Sequence, residues 1–341
     1  MKSKFPVDRY FRQCVGVDIS KNKFTACLCM LSWGCPAQST EPIDFANTKT
    51  GFNQLVKWAR REAEKGCTIF FLMEFTGTYY EDLAYHLHKL SFTVYVMPTG
   101  RVNAFFKEEG IKTKTDAVDA FGLAMMGCAK PYLKPWSPPN PIYRELRQLT
   151  RLGVHLKDIR TMLVNHHEGL SHQYEPSAEA LKQINATIKS IDTRIEKNQA
   201  AIEALVARNS DIKEKAGYIQ SIKGFGFLAA VTLLAETDGF ENINSRKQLA
   251  SFSGLDVAAR DSGNATPSRH ISKKGNTHIR RILYICSMSA TVYNTQIRAL
   301  YSRLSLQKPP KVARTAAMRK LLLLAYTLCK TKTMYDPTIR K

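Results

Sequence analysis

The sequence lacks any segment that is long and apolar enough to cross a membrane. Its longest apolar run, around residues 321–328, falls well short of the roughly 20 residues that a spanning helix needs. Residues 1–12 are polar and basic and lead directly into a strand pattern, without the apolar core and cleavage site of a signal peptide. We therefore expect no membrane partner and no export, which places the protein in the cytoplasm.

Paired cysteines of the CxxC type are also absent, which argues against a zinc site. The eight cysteines are scattered through mostly apolar runs, so we interpret them as reduced core residues. They are Cys14, Cys27, Cys29, Cys35, Cys67, Cys128, Cys286 and Cys329. Long polar or low-complexity tracts are missing as well, and 44% of the residues are hydrophobic. The chain is therefore expected to fold, and 341 residues are enough for two domains.

Acidic residues are scarce relative to basic ones. The chain has 50 Lys and Arg against 29 Asp and Glu, a formal net charge of +21. Such a charge attracts polyanions and releases their counterions, which makes nucleic acid the leading candidate partner. Residues 217–341 contain 20 basic and only six acidic residues, so the last third is predicted to hold most of this charge.

The first part of the chain alternates between strand-like and helix-like patterns. Apolar runs at residues 14–20, 24–31, 67–74 and 92–97 indicate strands, and the segments between and after them have helical spacing. This alternation predicts an α/β domain. The proline-rich segment 134–141 interrupts regular structure and marks a joint or an ordered loop.

Helical patterns dominate after the proline-rich segment. Residues 142–170 predict one long helix, and apolar residues at a three-four spacing then continue from Leu181 to Leu205, with Asn198 in one core position. This is a coiled-coil pattern. Because a single polar core residue commonly specifies a partner, we favour self-association, with a helical hairpin within one chain as the alternative.

Four acidic residues are candidates for a metal site. Asp18 and Glu74 each follow an apolar strand, and the ends of neighbouring central strands meet at one edge of a sheet. Asp116 and Asp119 are three residues apart, so on a helix they share a face. Oxygen ligands of this kind suit Mg²⁺ or Mn²⁺ and phosphoryl transfer. The alternative is structural: strand or turn ends for the first two, and helix capping for the others.

Two segments of the basic region have features of phosphate binding. Residues 222–236, with Lys223, Gly224 and Gly226, resemble a helix-hairpin-helix turn, although a glycine at an ordinary helix end is the alternative. Residues 256–277 predict a polar loop containing Ser262, which is either a turn residue or a hydroxyl able to attack a phosphodiester. Further candidate phosphate contacts are Arg260, Arg269, Lys273, Lys274, His278, Arg280, Arg281, Lys308, Lys311, Arg314, Arg319 and Lys320.

Taken together, these motifs resemble the DEDD transposases of the IS110 insertion-sequence family, relatives of the Piv DNA invertase that are described as guided by a bridge RNA. The resemblance spans nearly the whole chain. It rests on VDISK (17–21), MEFTGTY (73–79), KTDAVDA (114–120), GFG (224–226), FSGL (252–255), and SG (262–263) with its downstream Lys-Gly and Arg-Arg.

The resemblance implies an α/β RuvC-like domain of ribonuclease-H type over residues 1–175. A coiled coil over 176–212 and a mainly helical transposase domain over 213–341 follow. It implies that Asp18, Glu74, Asp116 and Asp119 bind Mg²⁺ and that Ser262 is the nucleophile, which forms a covalent phosphoserine link to DNA. It also implies a bacterial, nucleoid-associated homo-oligomer, from dimer to tetramer, with acids and serine contributed by different subunits.

The partners implied by the resemblance are donor DNA, target DNA and a structured guide RNA that pairs with both. Two other functions fit the residues. A RuvC-like nuclease or junction resolvase would use a metal-activated water and form no covalent link. A non-catalytic nucleic-acid-binding protein would use the acids only structurally.

Overall fold

A computed structural model describes residues 10–32, 36–75, 77–260 and 268–338. The chain divides into two compact units between Pro138 and Pro139. The first contains a mixed sheet with helices and the second is mainly helical. This confirms the prediction of an N-terminal α/β domain followed by a mainly helical region, while the boundaries near residues 175 and 212 stay predictions.

The first unit is built on one mixed sheet. Its strand order is β3-β2-β1-β5-β6, with β4 also paired to β2. Strand β1 pairs antiparallel with β2 and parallel with β5, and β5 pairs parallel with β6. The four predicted strands are present, and β3 and β4 are additional. The bounds are β1 Tyr10–Ile19, β2 Lys23–Ser32, β3 Gln38–Ser39, β4 Ile43–Ala46, β5 Ile69–Phe75 and β6 Thr93–Pro98.

Helices cover both faces of this sheet. Because side chains alternate along a strand, Val15 and Val17 of β1 face one apolar cluster and Cys14 faces another. The first cluster includes residues of α1 and α2, and the second includes residues of α3 and α4. The bounds are α1 Lys49–Glu62, α2 Glu81–Lys89, α3 Thr99–Glu108 and α4 Asp116–Ala129.

Helix α4 lies against β1 at a glycine. A Cβ atom on Gly16 would lie 2.1 Å from the backbone nitrogen of Ala124 and 2.2 Å from the carbonyl oxygen of Ala120. A Cβ on Gly127 would likewise lie 2.2 Å from the sulfur of Cys14. The backbones of helix and strand therefore touch where only glycine fits, and the first turn of α4 is held near the end of β1.

Gly16→Ala is expected to lower the free energy of unfolding by about 3 kcal/mol, because backbone atoms of α4 would have to move. Gly100→Ala in α3 is the control, since a Cβ there has nothing within 4 Å. Chemical denaturation of both variants measures the difference. An unchanged Gly16→Ala midpoint would contradict the close packing of α4 on β1.

In the part of the chain that the structure describes, the second unit packs eight helices and a two-stranded sheet around an apolar core that includes Leu233, Leu234 and Leu283. A 3-10 turn, Asp238–Phe240, follows α8. The helices are α5 Pro141–Ser171, α6 Ala178–Ala207, α7 Ser210–Gln220, α8 Phe227–Glu236, α9 Arg246–Phe252, α10 Thr277–Tyr293, α11 Thr295–Ser305 and α12 Pro310–Thr331, and the strands are β7 Val257–Arg260 and β8 Ser268–Ile271.

Helices α5 and α6 form a hairpin within the chain, which is the alternative to a self-associating coiled coil. The Asn198 amide donates a hydrogen bond to the carbonyl of Leu149 at 3.1 Å. The Arg160 guanidinium donates to Asp192 at 2.5 Å, farther along the same pair of helices. The Asn198 side chain therefore forms its hydrogen bond within the same chain. Self-association through these helices stays a prediction.

The segment 256–277, predicted to be a loop, contains a short β-hairpin instead. Strands β7 and β8 pair antiparallel, with Val257 opposite Ile271 and Arg260 opposite Ser268. The sequence does not predict this hairpin, because the segment is polar and contains glycine and because each strand has only four residues.

No helix among the described residues is long and apolar enough to span a membrane. Seven cysteines are free of disulfides, and six of them are buried, as predicted for core residues. Cys67 is partly exposed, and Cys35 lies outside the described residues.

Candidate active site

Asp18 and Glu74 lie at the same edge of the sheet. Val17 of β1 is paired in parallel register with Met73 of β5, and each acid is the next residue along its strand. Side chains at matching positions of adjacent parallel strands are close neighbours. The sheet therefore brings together two acids that are 56 positions apart in sequence.

The first turn of α4 provides the other two acids. Thr115 caps the helix, its hydroxyl oxygen accepting a hydrogen bond from the amide of Val118 at 3.3 Å. Asp116 and Asp119 lie in this first turn, where a negative charge interacts favourably with the helix dipole. The contact of α4 with Gly16 places this turn beside Asp18.

The mutual repulsion of the four acids is visible at Asp18. Burial, as the largest cause, and the nearby charges of Asp119, Asp116 and Glu74 together raise the pKa of the Asp18 carboxyl to about 6. Burial also raises the pKa of Asp119, although the charge of Lys114 opposes this shift. The site therefore favours a bound cation, which would relieve the repulsion between its carboxylates.

Lys23 is bound to one of these acids. Its ammonium nitrogen lies 3.2 Å from a carboxylate oxygen of Asp116 and 2.9 Å from one of Asp44. Among the described residues, no three His, Cys, Asp or Glu side chains are already grouped closely enough to hold a metal ion. The donors are all carboxylate oxygens, the type that Mg²⁺ and Mn²⁺ prefer, so the chemistry of the set fits a divalent cation.

Ser262 lies outside the described residues, but the base of the hairpin that carries it is described. The amide of Asn276 donates to the carbonyl of Phe252 at 2.9 Å. A Cβ on Gly275 would lie 2.4 Å from the amide nitrogen of Gly254, so the two chain segments touch there. Arg280 joins them, since its Nη1 donates to the carbonyls of Ser253 at 3.0 Å and Gly275 at 2.9 Å.

A buried carboxylate supports the same base. Glu236, at the end of α8, accepts two hydrogen bonds from the Arg151 guanidinium, both at 2.8 Å, and one from the Asn276 amide at 2.6 Å. Burial by itself would raise the pKa of Glu236, but these hydrogen bonds together lower it below its usual range. Asn276 also caps α10, where its Oδ1 accepts from the amide of Ile279 at 3.1 Å.

Two groups can be distinguished among the predicted phosphate contacts. Three arginines bind other parts of the protein: Arg280 as above, Arg281 to Asp158, and Arg314 to the carbonyl of Ser287 at 3.0 Å. The others include exposed lysines that form no ion pair within the described residues, namely Lys223, Lys273, Lys274 and Lys311. The contacts of both groups with nucleic acid stay predictions.

The remaining candidates differ in exposure. Lys308 is exposed, and His278, Arg319 and Lys320 are partly buried. Burial lowers the pKa of the His278 imidazole. Arg260 and Arg269 lie in β7 and β8, and only their backbone is described.

The two glycines of the 222–230 turn have different roles. Gly224 has a φ of +115°, and a Cβ there would lie 2.6 Å from the Cβ of Ala290. It is therefore needed for the close packing of the turn on α10. Gly226 precedes α8 and has open space around it, so the backbone of Gly226, unlike that of Gly224, is accessible to a ligand.

Several residues near the acids were not predicted from the sequence. Lys23 contacts Asp116, and Lys107, Lys112 and Lys114 surround a cavity beside Glu74 and Asp119. The lysines at 112 and 114, just before Asp116, were a usable signal in the sequence. Glu236 and Arg151 are 85 positions apart, and no local pattern links them.

Two family models match the chain. One, described as a transposase of the DEDD type of IS110, matches residues 15–176. Another, described as a transposase of the IS116/IS110/IS902 family, matches residues 216–302. The first match contains all four acids of the site, and the second contains Ser262 and the base of its hairpin.

Individual relatives agree with these matches. The pilin gene-inverting protein of Moraxella bovis is 26% identical over 336 residues, covering 96% of this chain and 98% of the relative. The protein of the same name from Moraxella lacunata is also 26% identical, over 335 residues with the same coverage. The transposase for insertion sequence element IS1111A of Coxiella burnetii is 30% identical over 92 residues, covering 27% of this chain and 24% of the relative.

Both halves of the chain thus match one family, and relatives extend over nearly its full length. A DEDD domain implies the use of divalent metal in general. The chain belongs to the IS110 family of DEDD transposases, enzymes that cut and rejoin DNA, and is related to the pilin gene-inverting proteins.

Proposed function

We propose that this transposase cuts DNA by attack of the Ser262 hydroxyl on a phosphodiester. The phosphorus–oxygen bond to the leaving deoxyribose breaks as the bond to the serine oxygen forms, and the serine proton ends on the departing hydroxyl. The number of phosphate ester bonds is conserved, so the reverse reaction with another DNA end rejoins the strand. The sequence position of Ser262, between β7 and β8 on a firmly held base, supports this role.

Asp18, Glu74, Asp116 and Asp119 are proposed to hold Mg²⁺ or Mn²⁺ at the cleaved phosphate. When bound, such a cation stabilises the negative charge that develops on the phosphate oxygens. This proposal is supported by the parallel register of β1 and β5, in which Asp18 and Glu74 follow paired residues, and by the close packing of α4 on β1 at Gly16. The charges of the other three acids, which raise the pKa of Asp18, agree with this geometry. The role of Lys23 is to neutralise Asp116, with which it forms an ion pair.

Ser262→Ala is expected to abolish the covalent link between protein and DNA. Wild type, Ser262→Ala and the control Ser251→Ala, which changes an exposed serine of α9, are incubated with labelled donor and target DNA and separated on a denaturing gel. We expect an adduct with wild type and the control only. An adduct formed by Ser262→Ala would exclude this serine, and DNA cleavage without any adduct would indicate water as the nucleophile.

Two further parts of the proposal rest on the family resemblance. A structured guide RNA is proposed to select donor and target DNA by base pairing, which leaves the protein to bind backbone and shape. A dimer or tetramer is proposed to bring the acids of one subunit to the serine of another. Sequencing the nucleic acid that co-purifies with the protein tests the first part, and sedimentation of the full chain tests the second.

A further inference from the structure

A cavity of about 480 Å³ lies beside two of the acids. It is bordered by Glu74 at the end of β5 and by Asp119 in the first turn of α4. The rest of its lining comes from α3 and the segment that joins α3 to α4. Its volume is within the range of about 300 to 1,000 Å³ that is usual for small-ligand sites. The cavity is therefore large enough for one nucleotide.

Part of the cavity lining is apolar and packs against α4. Val102 is buried, and Phe106 and Ile111 are half-buried. The Phe106 ring packs against α4 so closely that a Cβ on Gly122 would lie 2.5 Å from it. The ring is thus fixed by the backbone of α4. Fixed aromatic and aliphatic surfaces of this kind suit stacking of a base, which every base permits through its π-face.

The cavity lining also includes three positively charged side chains. Lys107, Lys112 and Lys114 are exposed, and none of them forms an ion pair with an acid among the described residues. Two other lysines of this unit are neutralised, Lys23 by Asp44 and Asp116, and Lys130 by Glu108. Lys107 and Lys112 therefore keep their charge available for an anion, whereas the charge of Lys114 also acts on the carboxylates of Asp18 and Asp119. Compact ammonium groups on flexible stems are suited to phosphate contact.

We propose that this cavity binds one nucleotide of the DNA strand that is cut, next to the cleaved phosphate. The base or sugar lies on Phe106 and Ile111, and the lysines bind the flanking phosphate. This inference rests on the proposed function, because the acids that border the cavity define which phosphate is cut. We favour DNA over RNA as the occupant for the same reason, since the cavity adjoins the acids assigned to DNA cleavage.

Binding of a single strand tests this inference without any cleavage. The full chain is titrated with a fluorescent twelve-residue thymidylate oligonucleotide in the presence of Ca²⁺, over a range of salt concentrations. Changing Lys107, Lys112 and Lys114 to Ala is expected to weaken binding about tenfold or more. It should also reduce the salt slope by about 2, since each lost contact to a single strand accounts for roughly 0.7.

The matched control changes three other exposed lysines to Ala. Lys57, Lys65 and Lys89 lie in or next to α1 and α2, which cover the other face of the sheet, and they form no ion pair among the described residues. This variant loses the same net charge. It is expected to bind the oligonucleotide within about twofold of wild type, because a distant surface charge contributes little. Equal losses in both variants would overturn the inference.

Photocrosslinking locates the bound base. The oligonucleotide is prepared with 5-iodo-deoxyuridine, which crosslinks to aromatic side chains on which it stacks, and the crosslinked peptide is identified by mass spectrometry. We expect a crosslink at Phe106 that Phe106→Leu removes, since leucine retains apolar packing against Gly122. No crosslink at Phe106 would overturn the inference. Tighter binding and crosslinking of the matching uridylate oligonucleotide would instead identify RNA as the occupant.

These outcomes are independent of the phosphoserine proposal. Absence of an adduct in the cleavage assay rejects Ser262 as the nucleophile, whereas the binding and crosslinking results concern only residues of the first unit. Each proposal can therefore fail while the other holds.

Discussion

Glu236→Ala is expected to lower the free energy of unfolding by about 3 kcal/mol. The Glu236 side chain is only 1% exposed, and it accepts three hydrogen bonds from Arg151 and Asn276. Removing one partner of a buried ion pair commonly costs about 3 to 5 kcal/mol, because the other charge loses its partner. Since Arg151 is 42% exposed and can regain water, we expect the lower end of this range. Denaturant unfolding of the full chain measures the change.

An exposed ion pair of the same type is the control for Glu236. Arg160 and Asp192 are 45% and 41% exposed, so Asp192→Ala should cost less than about 1 kcal/mol. The double variant Arg151→Met with Glu236→Met should recover most of the loss, because no charge then remains unpaired. If Glu236→Ala were no more destabilising than Asp192→Ala, the buried cluster would not hold the base of the β7–β8 hairpin.

Asp18→Asn is expected to have opposite effects on activity and stability. DNA cleavage should fall about 10³-fold, since a lost ligand to a catalytic cation costs several kcal/mol of transition-state stabilisation. In metal-free buffer at pH 8, however, the variant should melt at a higher temperature than wild type. Asparagine removes a charge that burial and three neighbouring acids disfavour, as the raised pKa of Asp18 shows.

The raised pKa of Asp18 also predicts how large the stability gain of Asp18→Asn is and how it depends on pH. Asp18 is partly exposed, so after allowance for solvent screening we expect about 1 kcal/mol, or roughly 2 to 4 °C. A carboxyl whose pKa is raised on folding destabilises the protein above that pKa, here about 6. The gain should therefore shrink as the pH is lowered from 8 to 5, when wild-type Asp18 becomes protonated.

Glu41→Gln is the control for Asp18→Asn, because Glu41 is an exposed acid of the same unit that is not part of the site. It should change neither cleavage nor melting temperature appreciably. A loss of activity in Asp18→Asn together with a lower melting temperature would indicate a structural role for Asp18. Unchanged cleavage would contradict a metal-binding role and would favour the non-catalytic alternative.

The α/β unit was predictable because its main strands are continuous apolar runs, which can be recognised from residues that are neighbours in the sequence. Strands β1, β2, β5 and β6 begin and end within a few residues of their predicted positions. Asp18 and Glu74 could be placed at one edge of the sheet from the pattern alone, since each directly follows a buried run. Strands β3 and β4 were not predicted, because two and four largely exposed residues carry too little hydrophobic signal.

The helical unit was predictable in its elements but not in its contacts. Helix α5, Pro141–Ser171, agrees to within one residue at each end with the helix predicted over residues 142–170, because Asn140 caps its start and its apolar spacing is regular. In the sequence, Arg280, Arg281 and Arg314 suit phosphate contacts, since only their charge is visible there. Their hydrogen bonds to Ser253, Asp158 and Ser287 arise from partners more than 20 positions away.

Hydrophobic periodicity, charge and a set of specific motifs were enough to determine the fold class, the family and the four candidate acids, because each is a property of local sequence. Only the tertiary structure decided how α4 meets β1 at Gly16, how Lys23 binds Asp116 and how three lysines surround one cavity. The physical reason is that backbone packing and charge pairing depend on distances in space, and residues far apart in the chain set those distances.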